Sequence, residues 1–155
     1  MTVDQTTSLF FDASSLFAAA QSPHGGSSFI VLACSRGYLQ ALVSPDVLIE
    51  AERNLVNKSN AETVARYHQL VASTSLLLVS APAEPLVVQY EAVFFEDAHV
   101  VAAALASQAQ YLITLDKGLE ERVRQSNLPI VALSPRRFIQ TVLPNHPDYG
   151  SIRGS

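Results

Sequence analysis

The sequence contains no tryptophan, a single cysteine and a single methionine. A lone Cys34 excludes an intramolecular disulfide, and no Cys/His spacing resembles a zinc site. Set in the apolar stretch SFIVLACSRG, Cys34 reads as a small buried hydrophobe. The histidines His24, His68, His99 and His146 are scattered and suggest no ligand pair. Basic residues are scarce, 10 against 14 acids, and the formal charge of −4 argues against a broad basic face for nucleic acid. Lys117, Arg122, Arg124, Arg136 and Arg137 gather late in the chain, as a solvated face or a local phosphate-binding edge. Long apolar runs are missing too: VVAAALA and FIVLAC fall well short of the ~20 residues a bilayer crossing needs. The start MTVDQTTS has neither the basic nor the apolar region of a signal peptide, so a cytoplasmic protein without membrane contact is expected.

What is present suits a compact α/β domain: 155 residues with 48% hydrophobic content and no internal repeat. Short apolar runs at 8–11, 39–43, 76–80, 111–114 and 130–132 read as strands. Between them lie helical patterns at 14–21, 29–36, 45–58, 61–73, 84–94, 96–108 and 118–125, and another follows at 135–142. Gly37 reads as a C-cap and Ser44-Pro45 as a helix start. Strands separated by helices predict a three-layer α/β/α sandwich around a mostly parallel sheet of four or five strands. The domain is expected to span residues 1–143, with 144–155 a loose polar tail whose final Gly154-Ser155 could be foreign.

Chemistry is suggested by acids. Asp12 follows the run SLFF and Asp116 follows YLITL, and ligand sites in open α/β sheets lie beyond the carboxyl ends of strands. Each is also a natural helix cap or turn former. Asp97 is harder to explain structurally. On a helix beginning at Glu96 it shares a face with Val100, Val101, Ala104 and Leu105, the stripe that should meet the core. The helix dipole favours first-turn acids by roughly 0.3–1 kcal/mol, but it favours Glu96 equally. His99 falls on the opposite side and is expected to be exposed. In the helix after Ser44, Glu50 and Glu52 fit the pattern about equally well, each with a plain reading as a solvated acid.

In this order the acids resemble the pattern of a PIN domain, a metal-dependent ribonuclease fold found in the toxin half of many toxin–antitoxin pairs. The matching pieces are Asp12 with Ser14, the Ser44-led helix with Glu50 six residues on, Asp97 opening an alanine-rich helix, and Thr114-x-Asp116. The resemblance runs from SLFFDASS to the helix at Arg136 and selects Glu50 over Glu52. It implies that Asp12, Glu50, Asp97 and Asp116 bind one or two Mg²⁺ or Mn²⁺ ions and carry phosphodiester hydrolysis. Ser14 and Thr114 would orient carboxylates or waters behind them. An RNA substrate, a cognate antitoxin protein and a homodimer are implied partners. The alternative is a catalytically inactive PIN-like module that binds RNA or protein. A receiver domain would want two adjacent acids beside the first strand, where Phe11-Asp12-Ala13 offers one.

Overall fold

A computed structural model describes residues 2–154. The chain runs β1 (Ser8–Phe11), α1 (Ala13–Gln21), α2 (Gly26–Ser35), β2 (Gln40–Val43), α3 (Pro45–Lys58), α4 (Ala61–Ser73) and β3 (Leu76–Leu78). It continues through α5 (Glu84–Phe94), a 3-10 turn (Phe95–Asp97), α6 (Ala98–Ala106), β4 (Tyr111–Ile113), α7 (Lys117–Gln125) and β5 (Val131–Leu133). A short α8 (Pro135–Arg137) passes into a π-helical turn, Phe138–Val142, a 3-10 turn, Leu143–Asn145, and α9 (Tyr149–Arg153).

All five strands are parallel, in the order β3-β2-β1-β4-β5. Parallel pairing requires crossovers, and these carry the helices. Helices α1 to α4 pack among themselves, while α5 packs against α6 and α7. The strand order explains this division: the first crossovers step from β1 toward β3, the later ones step the opposite way, and right-handed crossovers in opposite directions cover opposite faces. The predicted three-layer sandwich is therefore present, with a sheet parallel throughout.

Strands covered on both faces should be apolar at every position, and Leu9, Phe10, Phe11, Leu112 and Ile113 are fully buried. Helix α6 is buried at Ala98 and from Val100 to Ala104, and its alanines allow that close packing. Truncating a core phenylalanine such as Phe10 would cost about 3–5 kcal/mol. Helix α2 ends as Gly37 suggested. At φ 83 this residue places its own N–H on Cys34 O and the N–H of Tyr38 on Ala33 O, a Schellman motif. Cys34 is buried, which pushes its thiol up to about 12 and leaves it inert.

The tail differs from expectation. Leu143, His146 and Ile152 are buried, and His146 Nε2 lies 2.7 Å from Tyr38 O while Nδ1 accepts the Asp148 N–H. That acceptor fixes the proton on Nε2, which donates to Tyr38 O. Within residues 144–155 the segment is held by two buried side chains, His146 and Ile152, just after the buried Leu143 that closes the expected domain, although the residues between them are polar. Among the described residues no helix is long and apolar enough to cross a membrane.

Candidate active site

The sheet order reverses between β1 and β4, which makes the crevice beyond their carboxyl ends the topological switch point. Asp12 leaves β1 there and Asp116 follows β4. Each is also a helix N-cap: Asp12 Oδ1 accepts the Ser15 N–H at 2.9 Å, and Asp116 Oδ1 accepts the Leu119 N–H at 3.1 Å. The capping and cavity-facing readings of these residues therefore coexist.

Two hydroxyls stitch the strand ends together. Thr114 Oγ1 donates to Asp12 Oδ2 at 2.5 Å and accepts the Asp116 N–H at 3.0 Å. Ser14 Oγ donates to Asp12 Oδ1 at 2.7 Å and accepts the Leu115 N–H at 3.0 Å. Asp12 is buried, and burial pushes its carboxyl above the usual range, while the donors from Thr114, Ser15 and Ser14 act against that rise.

The other acids arrive from helix starts. Ser44 caps α3, accepting the Val47 N–H, and the helix carries Glu50 toward the crevice while Val47, Ala51 and Leu55 enter the core. Glu52 points elsewhere, 3.6 Å from His68 Nε2. Asp97 lies not on α6 itself but on the 3-10 turn before it. The cause is Phe95, which ends α5 in a left-handed conformation, φ 52. For an aromatic residue that conformation costs on the order of 1–3 kcal/mol. The cavity beyond β1 and β4, about 570 Å³, is lined by Asp12, Glu50, Asp97 and Asp116 together, with Ser14, Asn54, Lys58 and Glu96 beside them. Burial, followed by the negative charges of Asp116 and Asp12, raises Asp97 to about 6, and Arg122 opposes the rise.

Oxygen donors of this kind suit Mg²⁺ or Mn²⁺, and the mutual repulsion felt by Asp97 is what a cation would relieve. Each acid nevertheless already has a partner. Asp12 is held by hydroxyls, Asp116 by its own helix, Asp97 by Arg122 Nη2 at 3.4 Å, and Glu50 Oε2 faces His99 Nε2 at 3.9 Å. Among the described residues no three Asp, Glu, His or Cys side chains stand together so as to hold an ion as placed.

Several neighbours were not foreseen. His99 is half-buried beside Glu50, not exposed, because the turn at Phe95 rotates the start of α6. Lys58, at the last turn of α3, supplies a cation to the cavity wall, and the i, i+8 spacing from Glu50 was its only signal in the sequence. Arg122 belongs to the late basic group, but nothing local points it at Asp97.

A family profile described as PIN domain matches residues 8–118. No curated protein sequence matches the chain significantly. Among solved structures, PAE2754 from Pyrobaculum aerophilum has a TM-score of 0.60 at 16% identity, over 97% of this chain and 98% of that one. VapC20 from Mycobacterium tuberculosis, a sarcin-ricin loop cleaving toxin, has a TM-score of 0.57 at 14% identity, over 79% of this chain and 98% of that one. VapBC2 from Rickettsia felis, bound to a DNA fragment from its promoter, has a TM-score of 0.59 at 13% identity, over 83% of this chain and 98% of that one. At these identities the likeness is one of fold.

Proposed function

Because the chain belongs to the PIN-domain family, we propose that it is a metal-dependent endoribonuclease and the toxin of a toxin–antitoxin pair. The observation that carries this reading is the convergence of Asp12, Glu50, Asp97 and Asp116 on one cavity at the switch point of the sheet. VapC20 and VapBC2, both alike in fold, support the toxin assignment. An antitoxin partner, a homodimer and action in the cytoplasm belong to the same reading.

In this reading the four carboxylates hold one or two Mg²⁺ or Mn²⁺ ions. The chemistry such ions supply is activation of water toward phosphorus and stabilisation of the departing oxygen. Thr114 and Ser14 fix both oxygens of Asp12, so this acid is presented in one orientation. Asp97, raised to about 6, gives up its proton readily above that pH and becomes available as a ligand. Lys58, on the cavity wall, offers a positive charge to a phosphate of the bound strand.

A second reading is favoured by the partners the acids already have: a PIN module that binds RNA or protein without cutting. Incubation of labelled RNA with the protein and Mn²⁺ separates the two. Cleavage that requires the metal and disappears in Asp12→Ala supports the nuclease. RNA retained intact by both proteins supports the binding module.

A further inference from the structure

Arg122 makes a contact that the proposed reaction does not use. It sits on α7 one turn after Gly118, and its Nη2 reaches Asp97 Oδ2 at 3.4 Å. The Phe95 ring lies alongside, 5.9 Å from Cζ to the ring centroid. Gly118 supplies the room. A Cβ there would stand 3.1 Å from Arg122 Nη1 and 3.2 Å from Asp116 Oδ1, so a side chain at position 118 would press on the guanidinium and on Asp116 and force one of them to shift. Arg122 Nε is buried and has no hydrogen-bond partner. The guanidinium is thus kept here by charge and by the aromatic face, at the cost of one unsatisfied N–H.

We propose that Arg122 is a tethered cation: it balances Asp97 while no divalent ion is bound, and it must leave Asp97 before one can bind. The inference rests on the metal-binding reading above and makes Arg122 a positioning residue that sets the affinity of the site. It also bears on ion choice. A sodium or potassium ion brings no more charge than Arg122 already supplies, whereas a divalent ion brings twice as much to the same oxygens. The guanidinium therefore screens the acids against monovalent ions while remaining displaceable by Mg²⁺ or Mn²⁺. The Phe95 face beside it gives the released side chain a place to rest.

The test is titration of the full chain with Mn²⁺ at pH 8, following free Mn²⁺ by electron paramagnetic resonance, for the wild type, R122Q and R122K. R122Q is expected to bind Mn²⁺ about five-fold more tightly, the factor corresponding to one partly exposed ion pair. R122K, which keeps the tethered charge, should return toward wild-type affinity, and added potassium chloride should weaken Mn²⁺ binding more in R122Q than in the wild type. Equal or weaker binding by R122Q overturns the tethered-cation role and leaves the metal site standing. Absence of Mn²⁺ binding in all three proteins removes both.

Discussion

Replacing Asp97 by Asn is expected to stabilise the metal-free protein while abolishing the nuclease activity proposed for it. The carboxyl is raised from 3.8 to about 6, first by burial and then by Asp116 and Asp12. At ~1.36 kcal/mol per pH unit, holding it ionised in the fold costs at most about 3 kcal/mol. That value already includes the opposing Arg122 ion pair, and because the side chain is 26% exposed, solvent screening reduces the net gain to about 1 kcal/mol. In a domain of this size that is about 3 °C in melting temperature. The pH dependence has a definite sign. Between 3.8 and about 6 the native state binds more protons at Asp97 than the unfolded chain does, so the wild type loses stability as pH rises through that window. Asp97→Asn lacks this loss. Thermal unfolding in EDTA should therefore show similar proteins near pH 4 and a more stable variant at pH 8. With Mn²⁺ present, the wild type should gain stability and the variant gain less. A variant that melts below the wild type in EDTA at pH 8, or a difference independent of pH, would refute the claim that Asp97 is held ionised against repulsion.

Thr114→Val keeps the shape of a buried side chain but removes the donor to Asp12 Oδ2 and the acceptor for the Asp116 N–H. A loss of about 2 kcal/mol is expected from the urea midpoint at unchanged slope, and a change below about 0.5 kcal/mol would mean that the stitch contributes little. Ile152→Ala should cost about 2 kcal/mol by the same measurement if α9 is docked. A free tail would show no change.

The strands were legible because each is a short apolar run bounded by turn residues, and the parallel sheet followed from the helical segments between them. Asp12 and Asp116 were legible for the same reason, as polar residues that close such runs. Glu50 was not separable from Glu52 by periodicity. The choice depended on the resemblance to the PIN-domain pattern, and the fold now puts Glu50 in the cavity and Glu52 beside His68. Asp97 was expected on the core-facing stripe of a helix, whereas it lines the cavity from a 3-10 turn that depends on the backbone of Phe95, which no residue pattern announces. Arg122 and His99 escaped because their partners lie on other elements, Asp97 on the turn before α6 and Glu50 on α3. The docked tail escaped because His146 and Ile152 are too widely spaced to read as one apolar face.

The hydroxyl contact from Thr114 to Asp12 has a bearing on when the site can exist. Its two residues are 102 apart in sequence, and β1 lies between β2, made soon after it, and β4, made much later. As the chain leaves the ribosome, β1 can pair with β2 early, but its other edge stays open until β4 has emerged, and contacts of such long range form late. Until then Asp12 lacks its hydroxyl partner and Asp116 has not been placed opposite it. Under the nuclease reading proposed above, this order of assembly withholds the complete acid set until the segment carrying Thr114 and Asp116 has left the ribosome, so a nascent chain shorter than that has no working site.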